Sequence, residues 1–219
     1  NVFGWTIDEK TSFALLDAFV DHGFDAIDTA DVYSRWAEGN QGGESETIIG
    51  RWLQARPGMR DKVKIFTKVG SDLGLPGHKG LSKAWIQQAV DDSLRRLNTD
   101  YIDLYFSHWP DPQTPVEETL EAFHSLQQAG KIRATGASNL DAQQLSKLFP
   151  APFFCIFFQN CASSPELRSR RVHKTRLYSF TYRERLGPGS GRIVQIDHLT
   201  HPSRILKSIT FAIFLISLV

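Results

Sequence analysis

Helical and strand patterns alternate along residues 8–158, and this alternation limits the chain to a small group of folds. The predicted strands are 24–29, 63–67, 101–106, 132–137 and 153–158. The predicted helices are 8–22, 45–55, 82–97, 114–130 and 142–148. Because strands that are separated by helices must pair in parallel, the pattern predicts an α/β fold with a parallel sheet.

Two of the helices begin with recognisable capping signals. Ser82 is placed to cap the third helix. Residues 114–117, TPVE, have the form of a capping box with Pro115 at the first helical position, and Gly130 is placed to end that helix.

A doubly wound sheet and a (β/α)8 TIM barrel both fit the alternation. The glycine-rich dinucleotide fingerprint of a doubly wound sheet is missing, since residues 39–43 and 187–191 have neither its spacing nor its context. Polar residues do occur at or just beyond the ends of four different predicted strands: Asp28, Lys68, His108 and Ser138. Barrel enzymes place their chemistry at the carboxyl ends of the strands, so we favour the barrel.

Four residues near these strand ends form a chemically coherent set: Asp28, Tyr33, Lys68 and His108. Each of them alone also fits an ordinary structural role. Together they fit carbonyl reduction, because the Lys68 ammonium would lower the pKa of the Tyr33 phenol and Asp28 would hold that ammonium in place. His108 could donate a hydrogen bond to a carbonyl oxygen as negative charge develops on it.

Composition excludes several other classes of function. With 25 basic and 24 acidic residues the formal net charge is +1, so no overall field favours nucleic acid or an anionic membrane. Cys155 and Cys161 match neither a disulfide framework nor a common zinc site, and the first twenty residues show no secretory pattern. We therefore expect a cytoplasmic protein without a bound metal. The apolar run 209–219 is shorter than the roughly 20 residues of a spanning helix.

Five motifs resemble those of the aldo-keto reductases, in that family's order. They are FDAIDTADVY at 24–33, GESE at 43–46 leading into IG at 49–50, KIFTK at 64–68, DLYFSHWP at 103–110, and GKIR at 130–133 running to GASN at 136–139. The resemblance covers residues 1–160. It implies a (β/α)8 barrel that binds NADPH and reduces small aldehydes or ketones.

The resemblance also implies a role for particular residues. Tyr33 corresponds to the general acid, Lys68 and Asp28 to the pair that tunes it, and His108 to the residue that orients the substrate carbonyl. Those that correspond to contacts of the nicotinamide carboxamide are Ser138, Asn139 and Gln159. Those that correspond to an apolar substrate pocket are Trp36 and Trp109, for which ordinary core packing is an equal alternative.

The resemblance ends after Asn160, and the charge balance changes near that position. Residues 1–150 hold 15 basic and 21 acidic residues, a net of −6, whereas 151–219 hold 10 and 3, a net of +7. We expect 1–160 to form a partial barrel with the family's strands two to six, and strands one, seven and eight to be missing. On this interpretation the chain is truncated, and 161–219 is an unassigned basic and then apolar tail from a shifted frame or altered splicing.

Two other functions stay open at this point. The chain could be a regulatory subunit that binds NADPH without catalysis, because the potassium-channel β subunits belong to the same superfamily. It could also be a truncated product without function. Turnover of aldehydes distinguishes a reductase from a binding module.

Overall fold

The fold consists of helices that alternate with the strands of one sheet. The structure is a computed structural model that describes residues 2–140, 144, 156–159, 180–186 and 190–195. Its helices are α1 (Glu9–Asp21), α2 (Glu44–Gln54), α3 (Lys83–Leu97) and α4 (Val116–Gln128). Its strands are β1 (Ala26–Asp28), β2 (Lys64–Val69), β3 (Ile102–Ser107), β4 (Ile132–Ser138), β5 (Ile156–Gln159), β6 (Phe180–Leu186) and β7 (Ser190–Gln195).

Local signals account for three of the helix ends. The Asp8 carboxylate accepts a hydrogen bond from Thr11 N at 2.8 Å and caps α1. Ser82 Oγ accepts from Trp85 N at 3.3 Å, so the predicted cap of α3 is confirmed. Gly130 follows α4 with φ 73°, which confirms the predicted stop.

The predicted capping box of α4 is wrong. Pro115 lies at the N-cap instead of the first helical position, and no side chain caps this end. The Thr114 hydroxyl donates instead to Asp111 Oδ2 at 2.7 Å, and the same oxygen accepts the backbone amide of Leu81 at 2.8 Å. Asp111 therefore takes the hydroxyl that the capping box would have used, and it also ties the loop before α4 to the loop before α3.

The strands lie in the sheet in their chain order, from β1 to β7. The neighbours from β1 to β5 pair in parallel, as predicted. A doubly wound sheet would reverse its strand order at a switch point, whereas an unbroken order is that of a (β/α) barrel.

The end of the described sheet is antiparallel. Strand β5 pairs antiparallel with β6, and β6 pairs antiparallel with β7. This hairpin lies in the stretch that the sequence pattern left unassigned, and it was not predicted. The rest of the tail at 161–219 lies outside the described residues, as does the predicted helix at 142–148 except for Gln144, which is helical.

The apolar core lies between the helices and one face of the sheet. Trp52 of α2 and Phe123 of α4 pack there with Ile65, Val69 and Tyr105 from the strands. Because side chains alternate along a strand, Lys68 lies on the opposite face from Ile65 and Val69. No helix in the described ranges has the length and apolar character needed to cross a membrane.

Candidate active site

The loop after β1 brings Tyr33 back over the carboxyl ends of the first two strands. Asp28 is the last residue of β1. Pairing with β2 then continues, because Thr29 N donates to Phe66 O at 2.8 Å and Asp31 N donates to Lys68 O at 3.2 Å. A turn follows in which Tyr33 N donates to Ala30 O at 3.1 Å. These backbone bonds place the phenol beside the Lys68 side chain.

Lys68 lies at the centre of the site. Its side chain is fully buried, and its Nζ donates to Asp28 Oδ2 at 2.7 Å, to Thr29 O at 2.7 Å and to Tyr33 Oη at 3.0 Å. An ammonium carries three N–H donors, so all three have acceptors. The bonds fix the ammonium and hold the Tyr33 hydroxyl against it.

The same contacts govern the charge of Lys68. Burial lowers the pKa of Lys68, but the Asp28 carboxylate and Tyr33 outweigh burial, and the net shift is upward. A buried ammonium without such partners would tend to lose its proton. Lys68 therefore stays charged at neutral pH.

The pKa of Tyr33 moves in the direction opposite to the one expected from Lys68 alone. Burial raises it above its ordinary value of about 10, and the Asp28 carboxylate acts in the same direction. The Lys68 ammonium lowers it, as the sequence predicts, but by less than burial raises it. The phenol is thus protonated at neutral pH and can serve as a proton donor.

His108 lies directly after β3 and beside Tyr33. Its backbone N–H donates to Val69 O at 2.8 Å, which continues the pairing of β3 with β2. The rings of His108 and Tyr33 are 5.9 Å apart, centroid to centroid, and His108 Nδ1 lies 2.9 Å from Ser71 Oγ. Burial and then the Lys68 charge lower the pKa of His108 to about 3, so the imidazole is neutral at physiological pH.

Ser138 and Asn139, at the end of β4, fit a primary carboxamide such as that of nicotinamide. Asn139 has φ 59°, and its Nδ2 donates to His108 O at 2.8 Å and to Ser138 Oγ at 3.0 Å. The described residues offer no other partner to Asn139 Oδ1 or to the Ser138 O–H. One free acceptor beside one free donor is complementary to the N–H and C=O groups of a carboxamide.

Gln159 ends β5, where its Cα is the register partner of Ser138. The backbone therefore brings the third predicted carboxamide contact to the same edge of the sheet. Its side chain lies outside the described part of the structure.

Two tryptophans flank the Tyr33 and His108 rings, and a third packs against one of them. Trp36 lies 6.3 Å from the Tyr33 ring and Trp109 stacks at 5.8 Å from the His108 ring, measured between centroids. Both indoles are about half exposed, at 49% and 51%, so the alternative of core packing is excluded. Trp5 packs edge-to-face against Trp36 at 5.5 Å.

Two residues of this site were not predicted from the sequence: Trp5 and Ser71. Ser71 lies two positions beyond the end of β2, which is the kind of position that singled out Ser138 at the end of β4. Trp5 carries no comparable signal, because it reaches the site only through its contact with Trp36.

Comparison with known proteins connects this geometry with a family. The chain is 43% identical over 139 residues to the aldo-keto reductase YhdN of Bacillus subtilis, a match over 63% of this chain and 40% of YhdN. An aldo-keto reductase of Klebsiella pneumoniae, solved in complex with NADPH, superposes with a TM-score of 0.55 at 37% identity, over 65% of this chain and 44% of that one. The holo form of AKR11C1, an aldo-keto reductase of Bacillus halodurans, superposes with a TM-score of 0.59 at 36% identity, over 70% of this chain and 49% of that one.

These matches have two consequences for the fold and the length of the chain. The chain spans less than half the length of these three relatives. Its fold is of the (β/α)8 TIM-barrel type. The five parallel strands of the described residues, labelled β1 to β5 here, form part of such a barrel. The family model described as "Aldo/keto reductase family" matches residues 1–178, well over half of the sequence, and the chain belongs to this family.

Proposed function

We propose that the chain acts as an NADPH-dependent reductase that converts an aldehyde or ketone to an alcohol, with Tyr33 as the proton donor. The observation that carries this proposal is the set of three hydrogen bonds from the buried Lys68 ammonium, one of which ends on the Tyr33 hydroxyl. The family supports oxidoreductase chemistry, and the NADPH complex of the Klebsiella pneumoniae relative supports the choice of cofactor.

Each of the four site residues has a separate task in this reaction. Tyr33 gives its proton to the carbonyl oxygen, and Lys68 stabilises the phenolate that remains. Asp28 holds Lys68 in its charged form. His108, neutral and beside the phenol, donates a hydrogen bond that polarises the carbonyl.

The reduction also needs a hydride, which the four site residues cannot supply. Bound beside this cluster, NADPH would supply the hydride that adds to the carbonyl carbon, while the Tyr33 proton adds to the oxygen. The residues proposed to hold its carboxamide are Ser138, Asn139 and Gln159. Among the described residues, Asn139 Oδ1 and the Ser138 O–H have no other hydrogen-bond partner, which supports that assignment.

Two tryptophans beside the proposed catalytic residues support an apolar substrate. Trp36 and Trp109 offer half-exposed indole faces next to Tyr33 and His108. Aromatic faces favour apolar and planar groups, because burial of such groups removes apolar surface from water. We therefore propose that the carbonyl compound is small and carries an apolar or aromatic group.

The substitution Tyr33→Phe tests the assignment of the proton donor. It removes the acidic hydroxyl and little else, so we expect kcat/KM for NADPH-dependent reduction of 4-nitrobenzaldehyde to fall by about 100-fold or more. The dissociation constant for NADPH, measured by tryptophan fluorescence quenching, should stay nearly unchanged. The matched control is Tyr101→Phe, since Tyr101 precedes β3 at the opposite end of the strand from His108.

Two outcomes would overturn the proposal. A Tyr33→Phe variant that retains more than half of the wild-type activity would exclude Tyr33 as the donor. A wild-type chain that binds NADPH but turns over none of a panel of aldehydes and ketones would favour a regulatory binding module over a reductase.

A further inference from the structure

The environment of His108 includes a serine to which neither the sequence motifs nor the reaction scheme gives a role. Ser71 Oγ lies 2.9 Å from His108 Nδ1, and both residues are only 8% exposed. In the described part of the structure this serine is the side chain that hydrogen-bonds the imidazole.

The backbone holds both partners in place. Ser71 follows Gly70, which adopts φ 116° and whose carbonyl accepts Gly80 N at 3.2 Å. His108 is held through its N–H by Val69 O and through its carbonyl by Asn139 Nδ2, each at 2.8 Å. The contact between the two side chains is therefore a consequence of the fold around it.

The donors and acceptors available to the two side chains determine which atom donates. A neutral imidazole has one N–H donor and one bare nitrogen acceptor. If Nδ1 carried the proton, it would donate to Ser71 Oγ, and the buried serine O–H would have no acceptor among the described residues. If Nε2 carries the proton, the Ser71 O–H donates to Nδ1, which pairs the buried hydroxyl and avoids the cost of an unpaired donor there. The Nε2 N–H, which makes no hydrogen bond to a described residue, is then left for a ligand.

We propose that Ser71 is a positioning residue that keeps His108 in the tautomer with its proton on Nε2, where that N–H can donate to the substrate carbonyl oxygen. The inference rests on the proposed function for the use of the Nε2 proton, but the tautomer itself is independent of turnover. In the opposite tautomer Nε2 would present a lone pair to the carbonyl oxygen and repel it. Ser71 thus acts on the reaction through His108 and does not touch the substrate.

The tautomer can be measured directly on the full 219-residue chain labelled with 15N-histidine. Long-range 1H–15N correlation spectra distinguish a protonated from a bare ring nitrogen, and His108→Gln assigns the signals. We expect the wild-type protein to show a protonated Nε2 and a bare Nδ1. Wild-type protein with the proton on Nδ1 would overturn the proposal without any variant.

Substitutions at Ser71 test whether this serine determines the tautomer of His108. Ser71→Ala should give a mixture of tautomers and lower kcat by about 10-fold, less than the ~10²–10³ lost when such a donor is removed altogether. KM for NADPH should be unchanged, and Ser71→Thr, which keeps the hydroxyl, should restore both the tautomer and kcat. The control is Ser12→Ala, a buried serine whose hydroxyl donates to Asp8 O in α1.

The outcomes separate this proposal from the proposed function. If Ser71→Ala keeps the wild-type tautomer, Ser71 does not determine it and the proposal fails, whatever the activity. If the wild-type chain reduces no carbonyl compound but its tautomer shifts in Ser71→Ala, the proposed function fails and the positioning role of Ser71 stands. Should Ser71→Ala not fold, Ser71→Cys, which keeps only a weak donor, takes its place in the same comparison.

Discussion

At the scale of single residues, Asp31 is a buried carboxyl group that has no part in the proposed reaction. Its side chain is 1% exposed, and neither carboxyl oxygen makes a hydrogen bond of normal geometry to a described residue. Burial and then the neighbouring Glu46 carboxylate raise the pKa of Asp31 well above its ordinary value. Arg96, the backbone amide of Val32 and Lys68 act in the opposite direction but do not compensate.

Arg96 forms its ion pair with Glu46 and not with Asp31, so it lowers the pKa of Asp31 by less than burial and Glu46 raise it. Glu46 is fully buried and accepts a hydrogen bond from Arg96 Nε at 2.7 Å and another from the Thr67 hydroxyl. Glu46 is thus a satisfied carboxylate, whereas Asp31 beside it is favoured in its neutral form.

The substitution Asp31→Asn should flatten the dependence of stability on pH. Because the folded-state pKa of Asp31 is raised, its contribution to stability is fully present below the unfolded pKa of about 4 and is lost as pH rises through the folded pKa. The asparagine variant cannot ionise, so its free energy of unfolding should fall less between pH 4 and pH 8. Urea unfolding at a series of pH values measures this difference.

The control for this experiment is Asp61→Asn, which replaces an exposed carboxyl and should keep the wild-type profile. Parallel profiles for Asp31→Asn and the wild type would mean that Asp31 ionises in the folded protein as it does in the unfolded one.

At the scale of elements, the packing of α2 against α3 depends on Gly50. A Cβ at this position would lie 2.0 Å from Arg96 O and 2.8 Å from Leu97 C, both backbone atoms at the end of α3. Backbone atoms cannot move aside as a flexible side chain can. The same two helices are also joined by the ion pair between Glu46 of α2 and Arg96 of α3, at 2.7 Å.

We expect Gly50→Ala to destabilise the protein by about 1–3 kcal/mol, as overpacking a close contact does. In an exposed helix the same change stabilises by up to about 1 kcal/mol, so the sign alone identifies the helix contact as the cause. Thermal and urea unfolding measure the change. The control is Gln54→Ala, at an exposed position of the same helix. A Gly50→Ala variant as stable as this control would show that α2 and α3 can move apart to accommodate the methyl group without a loss of stability.

At the scale of the whole molecule, the parallel strands bring the proposed site together at one edge of the sheet. Asp28, Lys68, His108 and Ser138 come from or directly follow β1, β2, β3 and β4, and Gln159 ends β5. A cofactor held at this edge would contact several strands at once. Its binding should therefore stabilise the folded chain as a unit.

We expect NADPH to raise the melting temperature of the 219-residue chain, because a ligand at 100 times its dissociation constant adds about 2.7 kcal/mol to the stability of the folded state. Ser138→Ala should reduce this increase by removing the O–H proposed to bind the carboxamide. Ser125→Ala, which removes a hydroxyl bonded to Glu121 O in α4, should leave it intact. A cooperative melt that NADPH does not shift would contradict the proposed cofactor site.

The sequence by itself determined the parts of this protein that depend on local pattern. The period of apolar residues located α1 to α4 and β1 to β5, and the parallel pairing followed from the helices between them. The residue types at the strand ends identified Asp28, Lys68 and His108 as neighbours, since the carboxyl ends of parallel strands meet at one edge. The capping box at Thr114 was wrong because a contact with Asp111, which also binds Leu81 from another loop, replaced it.

The tertiary structure alone decided the features that depend on burial and on contacts between distant residues. Lys68 meets Asp28 and Tyr33 across 40 and 35 positions of sequence, and Ser71 meets His108 across 37. Whether Tyr33 has a raised or lowered pKa depends on the balance between desolvation and the Lys68 charge, and only the assembled site sets that balance. The physical reason is that periodicity and capping act within a few residues, whereas desolvation is a property of everything packed around a group.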